Sequence, residues 1–253
     1  HVEYLCTQVT NGVIAALRDL KPATAEAGKA QLQNMNFLRR FVFQRADGRI
    51  ENTTTVRGDT TGTFLDYEDE KDPDIQAIRF VRDDMDILLI NWQSHIFSAD
   101  AGNYVDPCST YDLRNYVEGT NGVTSLFQKK TMCAFVQGAA GNTGRSSAYE
   151  KAAYSGRTDY AKKLVEGAIQ ALANGGKVET GTPKVLHAAI DAETRGWYKT
   201  SFAESMRRDV DLFCVSIGDI AFATAPYEMF CSNGMFVKEN SPFDVCSRRS
   251  LYP

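Results

Sequence analysis

Two short runs of apolar residues constrain the fold of this chain more than any other feature. Residues 86–92 read DILLINW and residues 132–137 read MCAFVQ. Both runs have the length of a strand and are too short for a buried helix. Because nearly every position in them is apolar, neither face of the predicted strands can be turned to water. The chain is therefore expected to build a sheet that is covered on both faces.

Amphipathic helices are predicted on either side of these strands. Val2 to Leu20 repeats apolar residues at helical spacing up to a Lys-Pro stop, and Thr158 to Ala173 does so up to an Asn-Gly-Gly stop. Shorter helices are predicted at Thr110 to Glu118 and at Tyr227 to Glu239, and a polar loop at Gly58 to Asp74.

The remaining segments complete an alternating order of strands and helices. This order, without a linker or an internal repeat, predicts an α/β fold with a mixed central sheet flanked by helices. We expect residues 1–253 to form a single domain. The other predicted strands are Thr24 to Leu32, Asn36 to Gln44, Ile75 to Val81, Lys184 to Ile190, Leu212 to Ile217 and Ile220 to Thr224.

Charge and hydropathy exclude two classes of function. The 32 acidic and 28 basic residues are spread along the chain and give a net charge of −4, so no basic stripe can follow a phosphate backbone. Nucleic acid is not an expected partner. No apolar run approaches the roughly 20 residues that cross a bilayer, so no transmembrane segment is predicted.

The six cysteines do not form a metal or redox motif. No CxxC pair is present, which gives little support to a thiolate metal site. Cys133, Cys214 and Cys231 lie in apolar stretches, where a free thiol behaves as a small hydrophobic side chain. We expect most of the cysteines to be reduced and to lie in the core.

The chain has three histidines and none of the GxSxG, HExxH and EF-hand patterns. His95 ends the apolar run LLINWQSH, at the carboxyl end of a predicted strand, where open α/β sheets place their sites. A histidine held by a hydrogen bond at a strand end fits equally well. Glu228 follows a second apolar strand, and an acidic residue there also favours a helix N-terminus. His187 alternates with apolar residues and is read as a core or surface residue.

A glycine-rich loop follows the predicted strand that ends at Gln137. The sequence GAAGNTGRS, residues 138–146, resembles a phosphate-binding loop. It departs from GxxxxGK[ST] because Ala139 takes the place of a glycine and Arg145 takes the place of the lysine. Nucleotide binding through Gly138 to Gly144 is therefore kept as an alternative, with Asp219 as the candidate magnesium partner. The glycines also fit a tight turn with unusual backbone angles.

Six short motifs, in order, resemble those of the neutral/alkaline non-lysosomal ceramidase family. They span roughly residues 36 to 243, and each falls where that family has a strand end or a site loop. The motifs are NFLRR with ADGR downstream, DPDIQAIRF, LINWQSH, FVQGAAGN, IGDIAFATAPYEMF and FVKENSPF.

The resemblance implies an amide hydrolase that holds zinc through two histidines, a glutamate and a tyrosine. The motif NWQSH makes His95 one zinc histidine, and APYEMF makes Glu228 the zinc glutamate. A catalytic zinc keeps an open position for water and lowers the pKa of that water to about 7. The family's other histidine and its tyrosine have no match here, since neither His1 nor Tyr252 has the matching surroundings. We therefore expect the chain to be a fragment of a longer domain, with an incomplete zinc site.

The glycine-rich loop departs from the family at its catalytic serine. Gly144 stands at the position of that serine, and Asn142 stands where the family has an aspartate. We predict that Asn142 and Thr143 act in catalysis, because an amide and a hydroxyl in such a loop can orient a carbonyl or stabilise an oxyanion. The predicted substrate-binding residues are Gln137, Gly138, Gly141 and Gly144.

The leading hypothesis is a zinc-dependent hydrolase that cleaves the amide of a ceramide-like or other N-acyl substrate. The first alternative is a non-catalytic binding module that retains the fold, and the second is the nucleotide-binding protein described above. The resemblance suggests a secreted or cell-surface protein, and the free thiols are equally compatible with the cytoplasm. The oligomeric state is left open.

Overall fold

A computed structural model describes residues 2–54, 61–96, 107–191 and 209–243. Its helices are α1 (Val2–Arg18), α2 (Ser109–Glu118), α3 (Arg157–Asn174) and α4 (Cys231–Asn240). Its strands are β1 (Thr24–Gln31), β2 (Phe37–Leu38), β3 (Phe41–Gln44), β4 (Ile50–Thr53), β5 (Thr63–Tyr67), β6 (Asp74–Val81), β7 (Asp86–Trp92), β8 (Thr131–Gln137), β9 (Thr143–Gly144), β10 (Gly176–Val178), β11 (Lys184–Asp191), β12 (Asp209–Ile217) and β13 (Ile220–Thr224).

The central sheet has five strands in the order β10-β1-β6-β7-β8. β1 pairs antiparallel with β10 and β6, and β6 pairs antiparallel with β7. β7 and β8 are parallel, in register from Asp86 opposite Thr131 to Trp92 opposite Gln137. The predicted α/β fold with a mixed central sheet is therefore confirmed, and both apolar runs that predicted it are adjacent strands.

One face of the central sheet is packed against α2 and α3. The strands contribute Leu88, Ile90 and Trp92 from β7, each fully buried. The Trp92 indole donates a hydrogen bond to the Tyr160 hydroxyl on α3 at 2.9 Å. α3 comes so close to β1 that a β-carbon at Gly28 would lie 2.0 Å from the Ala171 carbonyl oxygen, so this crossing requires glycine.

The opposite face of the central sheet packs against β13. Ile220 and Phe222 of β13 contact Ala27, Ile78 and Leu89 of the central sheet. β13 is the edge of an antiparallel three-stranded sheet in the order β11-β12-β13. This second sheet leaves room beside β13 for a cavity over β6, β7 and β8.

Two smaller sheets lie beside the central one. β4-β3-β5 is antiparallel, and Phe64 of β5 packs against Phe41 and stacks on Tyr149. β2 pairs with β9, with Phe37 opposite Gly144. Because β9 belongs to the glycine-rich loop, this pairing fixes that loop to the N-terminal half of the chain.

Most predicted elements are present, and three differ. The predicted loop Gly58 to Asp74 contains β5, whose aromatic side chains pack against β3 and a later segment. The predicted strand Asn36 to Gln44 is two strands, broken where the Arg39 N–H donates to the Asn142 carbonyl at 2.8 Å. The final helix begins at Cys231, later than predicted, because the Met229 carbonyl before it accepts the Gly141 N–H of the glycine-rich loop.

α1 forms over the predicted residues, and none of them is buried. Its apolar residues Leu5, Val9, Val13 and Leu17 are all more than half exposed. None of the described helices combines the length and the apolar character needed to cross a lipid bilayer.

Candidate active site

A cavity of about 720 Å³ lies between the central sheet, β13 and α4, and reaches the carboxyl ends of β7 and β8. Both His95 and Glu228 line it. The sheet contributes Gln76, Ile78, Leu89, Asn91 and Val136, the β7 and β8 loops contribute Gln93, Ile96 and residues 137–141, and the opposite wall comprises residues 221–225, Tyr227, Met229, Gly234, Val237 and Lys238.

The polarity of the cavity changes along β7. Side chains alternate between the faces of a strand, so every second residue of this segment points the same way. Leu89, Asn91, Gln93 and His95 all line the cavity, in the order apolar, amide, amide, imidazole. The polar end of the cavity is therefore at the carboxyl edge of the sheet, and the apolar part lies deeper over β6 and β7.

His95 lies three residues beyond the end of β7 and is half-buried. The preceding Ser94 is fully buried, and its hydroxyl donates to the Gly144 carbonyl at 3.2 Å. The Gln137 side-chain amide donates to the Ser94 carbonyl at 3.0 Å. The chain around His95 is thus fixed to the glycine-rich loop from two directions.

Glu228 is exposed and lies three residues before α4. The Gly141 N–H donates to the carbonyl of the next residue, Met229, at 2.8 Å. A β-carbon at Gly141 would lie 2.4 Å from the Glu228 carbonyl oxygen, so this close approach requires glycine. The loop after β8 and the segment before α4 therefore bring Glu228 to the same cavity as His95.

Neither the His95 ring nor the Glu228 carboxylate forms a hydrogen bond or an ion pair within the described part of the chain. Among the described residues, therefore, neither side chain has a polar partner. Both types of side chain are common zinc ligands.

Asn142 and Thr143 are buried and do not line the cavity. The Asn142 amide donates to Asp69 at 2.8 Å, and its oxygen accepts the Cys231 N–H at 2.8 Å. The Thr143 hydroxyl lies 3.1 Å from the Ala140 carbonyl oxygen. These contacts fasten the loop to α4 and to itself, and the catalytic role predicted from the sequence stays a prediction.

Three of the four predicted substrate-binding residues lie at the cavity. Gln137, Gly138 and Gly141 line the cavity, and Gly144 does not. Gly144 is buried in its pairing with Phe37. His187 lies on β11, half exposed, where its ring stacks on Phe213 and contacts Asp211 at 3.0 Å. His1 and Tyr252 lie outside the described residues.

Lys238 lines the cavity from the last turn of α4, and no sequence pattern singled it out. Its ammonium is paired with the Asp72 carboxylate at 2.6 Å, and the two side chains are only 16% and 3% exposed. A lysine near a helix C-terminus is ordinarily attributed to the helix dipole, so the sequence carried no signal of this pair. The ion pair anchors α4, and with it one wall of the cavity, to the segment before β6.

The two buried cysteines among the described residues, Cys133 and Cys231, are protonated thiols. Burial raises the pKa of Cys231 to about 11 and that of Cys133 to about 12, so both thiols are neutral near pH 7. The Cys231 Sγ contacts the Ala139 carbonyl oxygen at 3.3 Å and helps hold the loop. Cys133 and Cys231 are buried as expected, whereas Cys108 and Cys214 are half-buried and Cys6 on α1 is exposed, so most of the described cysteines do not lie in the core.

The structure brings the two predicted zinc ligands to one cavity and adds no further candidate ligand among the described residues. His95 and Glu228 share the cavity, whereas no group of three or more His, Cys, Asp or Glu side chains is placed to hold a metal within the ranges that the structure describes. A catalytic zinc has three protein ligands and a water. Zinc binding by His95 and Glu228 therefore stays a prediction.

The nucleotide-binding alternative does not fit the loop. A phosphate-binding loop leads into a helix and presents unused backbone N–H groups. Here the loop leads into β9, and α3 begins only at Arg157. The N–H groups of Gly138, Gly141 and Thr143 already donate to Trp92, Met229 and Ala140. Gly138 and Gly141 serve close packing, and three of the loop N–H groups are not available to a phosphate.

No protein-family model matches the chain, and no curated protein matches it in sequence. Comparison with solved structures, in contrast, finds the fold of the ceramidases. One match, a ceramidase complexed with C2, has a TM-score of 0.58 at 14% identity and covers 88% of this chain. The resemblance drawn from the six motifs is therefore confirmed as a shared fold.

A second match is the neutral ceramidase from Pseudomonas aeruginosa, with a TM-score of 0.58 at 13% identity over 90% of this chain. In both cases this chain spans 44% of the length of the protein that it matches. The chain is thus a divergent ceramidase-like chain in fold, and identity this low does not carry over the activity of those proteins.

Proposed function

We propose that this protein hydrolyses the amide bond of an N-acyl substrate, with zinc bound by His95 and Glu228. The observation that supports it is that both side chains line one cavity. Two separate sequence motifs, NWQSH and APYEMF, each predict one of them as a zinc ligand. Their lack of other polar partners, stated above for the described residues, is what a ligand role requires.

The lining of the cavity suits an amide with an apolar chain. Ile78, Leu89 and Phe222 form its apolar part, which would accept an acyl chain. The polar end, with Gln137 and the ligand pair, would hold the amide group. A ceramide-like lipid is one such substrate, and a simpler N-acyl amide is another.

The cavity lining favours water over a protein nucleophile. Among the described lining residues the hydroxyl side chains are Thr224 and Tyr227, and no serine or cysteine is included. A bound zinc would supply an activated water and polarise the substrate carbonyl. His95 and Glu228 would hold the metal, and Gly138 and Gly141 would let the substrate approach the loop backbone. The remaining ligand positions would fall to water, substrate or residues outside the described ranges.

A non-catalytic binding module is the second candidate, and one observation favours it. Gly144 stands where the family has its serine, and its neighbours Asn142 and Thr143 are engaged in holding the loop. A relative that kept the cavity and lost the chemistry would have this arrangement. Binding of an N-acyl amide without turnover would distinguish it from the hydrolase.

Zinc titration of the protein tests the proposal. We expect the wild type to bind about one zinc ion, with an affinity limited by the ligands that this chain supplies, and His95→Ala and Glu228→Ala each to abolish that binding, since each removes a ligand. Hydrolysis of a fluorogenic N-acyl amide should depend on added zinc and be lost in the same variants.

Two matched substitutions control for non-specific effects. His187→Ala removes a histidine from β11, and Glu166→Ala removes an exposed glutamate from α3. Both should leave zinc binding unchanged. Wild-type zinc binding that survives both His95→Ala and Glu228→Ala would refute the site, and zinc binding without hydrolysis would favour the binding module.

A further inference from the structure

One buried amide in the cavity wall has an unused acceptor. Gln93 is 1% exposed and lines the cavity two residues before His95. Its Oε1 is buried and has no hydrogen-bond partner among the described residues. Nearly all buried polar atoms in folded proteins are paired, so an unpaired one calls for an explanation.

The rest of Gln93 is firmly held, which fixes the position of that oxygen. Its Nε2 donates to the Asp74 carbonyl at 2.6 Å. Its backbone carbonyl accepts hydrogen bonds from the Asn36 amide at 3.1 Å and from the Thr143 hydroxyl at 3.3 Å. Because a carbonyl oxygen only accepts, the side chain cannot be flipped to place Nε2 at the unpaired position. The group at that position is an acceptor.

Gly138, in the loop that lines the cavity, lies directly against this acceptor. A β-carbon at Gly138 would lie 3.0 Å from both Cγ and Oε1 of Gln93. Any other residue at position 138 would therefore crowd the oxygen. Glycine at position 138 leaves only loop backbone beside the oxygen, so our inference includes a displacement of that backbone when a ligand binds.

We infer that Gln93 Oε1 accepts the N–H of the substrate amide, and so makes the site selective for secondary amides over esters and tertiary amides. The inference deepens the proposed function and rests on it for the identity of the ligand. The oxygen has already lost its water on folding. A ligand N–H therefore gains a hydrogen bond there without a further desolvation penalty on the protein side. Esters and N-methylated amides have no N–H to offer.

Binding to the metal-free protein tests this without chemistry. The three probes share one acyl chain: N-butyl dodecanamide, its N-methyl derivative and butyl dodecanoate. In the presence of a chelator, the wild type should bind the secondary amide about tenfold more tightly than either of the others, the value of one hydrogen bond. Equal affinities for the three probes, or no binding of any of them, would overturn the inference.

Two variants separate recognition from fold. Gln93→Met keeps the length of the side chain and removes the acceptor, so the three affinities should converge to within about twofold. Asn36→Ala removes a hydrogen bond to the Gln93 backbone and leaves Oε1 in place, so the preference should persist at lower thermal stability. A preference retained in Gln93→Met would overturn the inference. If Gln93→Met fails to fold, the wild-type comparison decides alone.

The outcome is independent of the zinc experiment. An amide preference in the metal-free protein, with no zinc-dependent hydrolysis, would refute the proposed hydrolase and leave the inference standing. Zinc-dependent hydrolysis with no discrimination between amide and ester would do the reverse.

Discussion

The two faces of the central sheet differ most along β7. On one face, Leu88, Ile90 and Trp92 are completely buried beneath α2 and α3. On the other face, Leu89 and Asn91 line the cavity. The first face is apolar and closed, and the second becomes polar toward the carboxyl end of the strand.

This difference shows how one apolar strand serves both stability and a site. Successive side chains of a strand point to opposite faces, so the two sets are interleaved in the sequence. The closed face stabilises the fold through α2 and α3, which leaves the other face free to hold polar groups such as Gln93 and His95. Substitutions along this segment should therefore alternate between effects on stability and effects on binding.

The largest expected effect is on the closed face. Trp92→Ala should lower the free energy of unfolding by about 3–5 kcal/mol, because it removes a fully buried indole and leaves a cavity. It also removes the hydrogen bond to Tyr160. Urea denaturation measures the loss.

The adjacent residue gives the matched control. Asn91→Ala on the cavity face loses one hydrogen bond, from its amide to the Val136 carbonyl, and should cost about 1 kcal/mol. Equal losses in Trp92→Ala and Asn91→Ala would contradict the contrast between the faces.

An intermediate effect is expected where the cavity wall meets the loop. Gly141→Ala forces the Glu228 backbone away, since the new β-carbon would lie 2.4 Å from its carbonyl oxygen. We expect a loss of about 1–3 kcal/mol in stability from overpacking. If Glu228 binds zinc, affinity should also fall by at least about tenfold, as for other changes behind a metal ligand.

The control for this substitution is a glycine in open space. A β-carbon at Gly181 meets no atom within 4 Å, so Gly181→Ala should leave stability and zinc affinity nearly unchanged. Unchanged zinc affinity in Gly141→Ala would show that the segment before α4 does not position a ligand.

Four of the five strands of the central sheet could be predicted from sequence because they are marked locally, and the short β10 was missed. The runs DILLINW and MCAFVQ are apolar throughout, and α3 ends at a clear glycine stop. β5 was missed because its pattern, TFLDY, is half polar, and its aromatic contacts join segments far apart in sequence. The sequence also could not predict which face of β7 lines the cavity, since the first residues on both faces of the strand are apolar.

The site was predictable only where a rule of topology applied. His95 could be placed because binding sites gather at the carboxyl ends of strands. The hydrogen bond of Asn142 to Cys231 depends on the start of α4 lying against the loop. No local sequence pattern predicts that contact. The unpaired oxygen of Gln93 is likewise a property of packing, because its amide donor is taken by the distant Asp74.

The smallest expected effect compares a thiol on each side of the sheet at alkaline pH. Cys133 lies in the core under α2 and α3, and Cys231 lies at the start of α4. Burial raises the pKa of Cys133 to about 12 and that of Cys231 to about 11, from an ordinary value of 9.0. The folded state therefore holds these protons more tightly than the unfolded state. Their contribution is full below pH 9 and is lost as the pH rises above it.

Between pH 9 and 10 these thiols should lower the free energy of unfolding by about 1 kcal/mol each. Cys133→Ala and Cys231→Ala should each flatten that slope in urea titrations, and the exposed Cys6→Ala should not. The tyrosines with a raised pKa, Tyr67, Tyr154 and Tyr160, add to the slope in the same range, so each cysteine variant is compared with the wild type, which has the same tyrosines. If only Cys133→Ala flattened the slope, α4 would open in the native state, and the cavity wall would be less firmly closed than the helix-covered face.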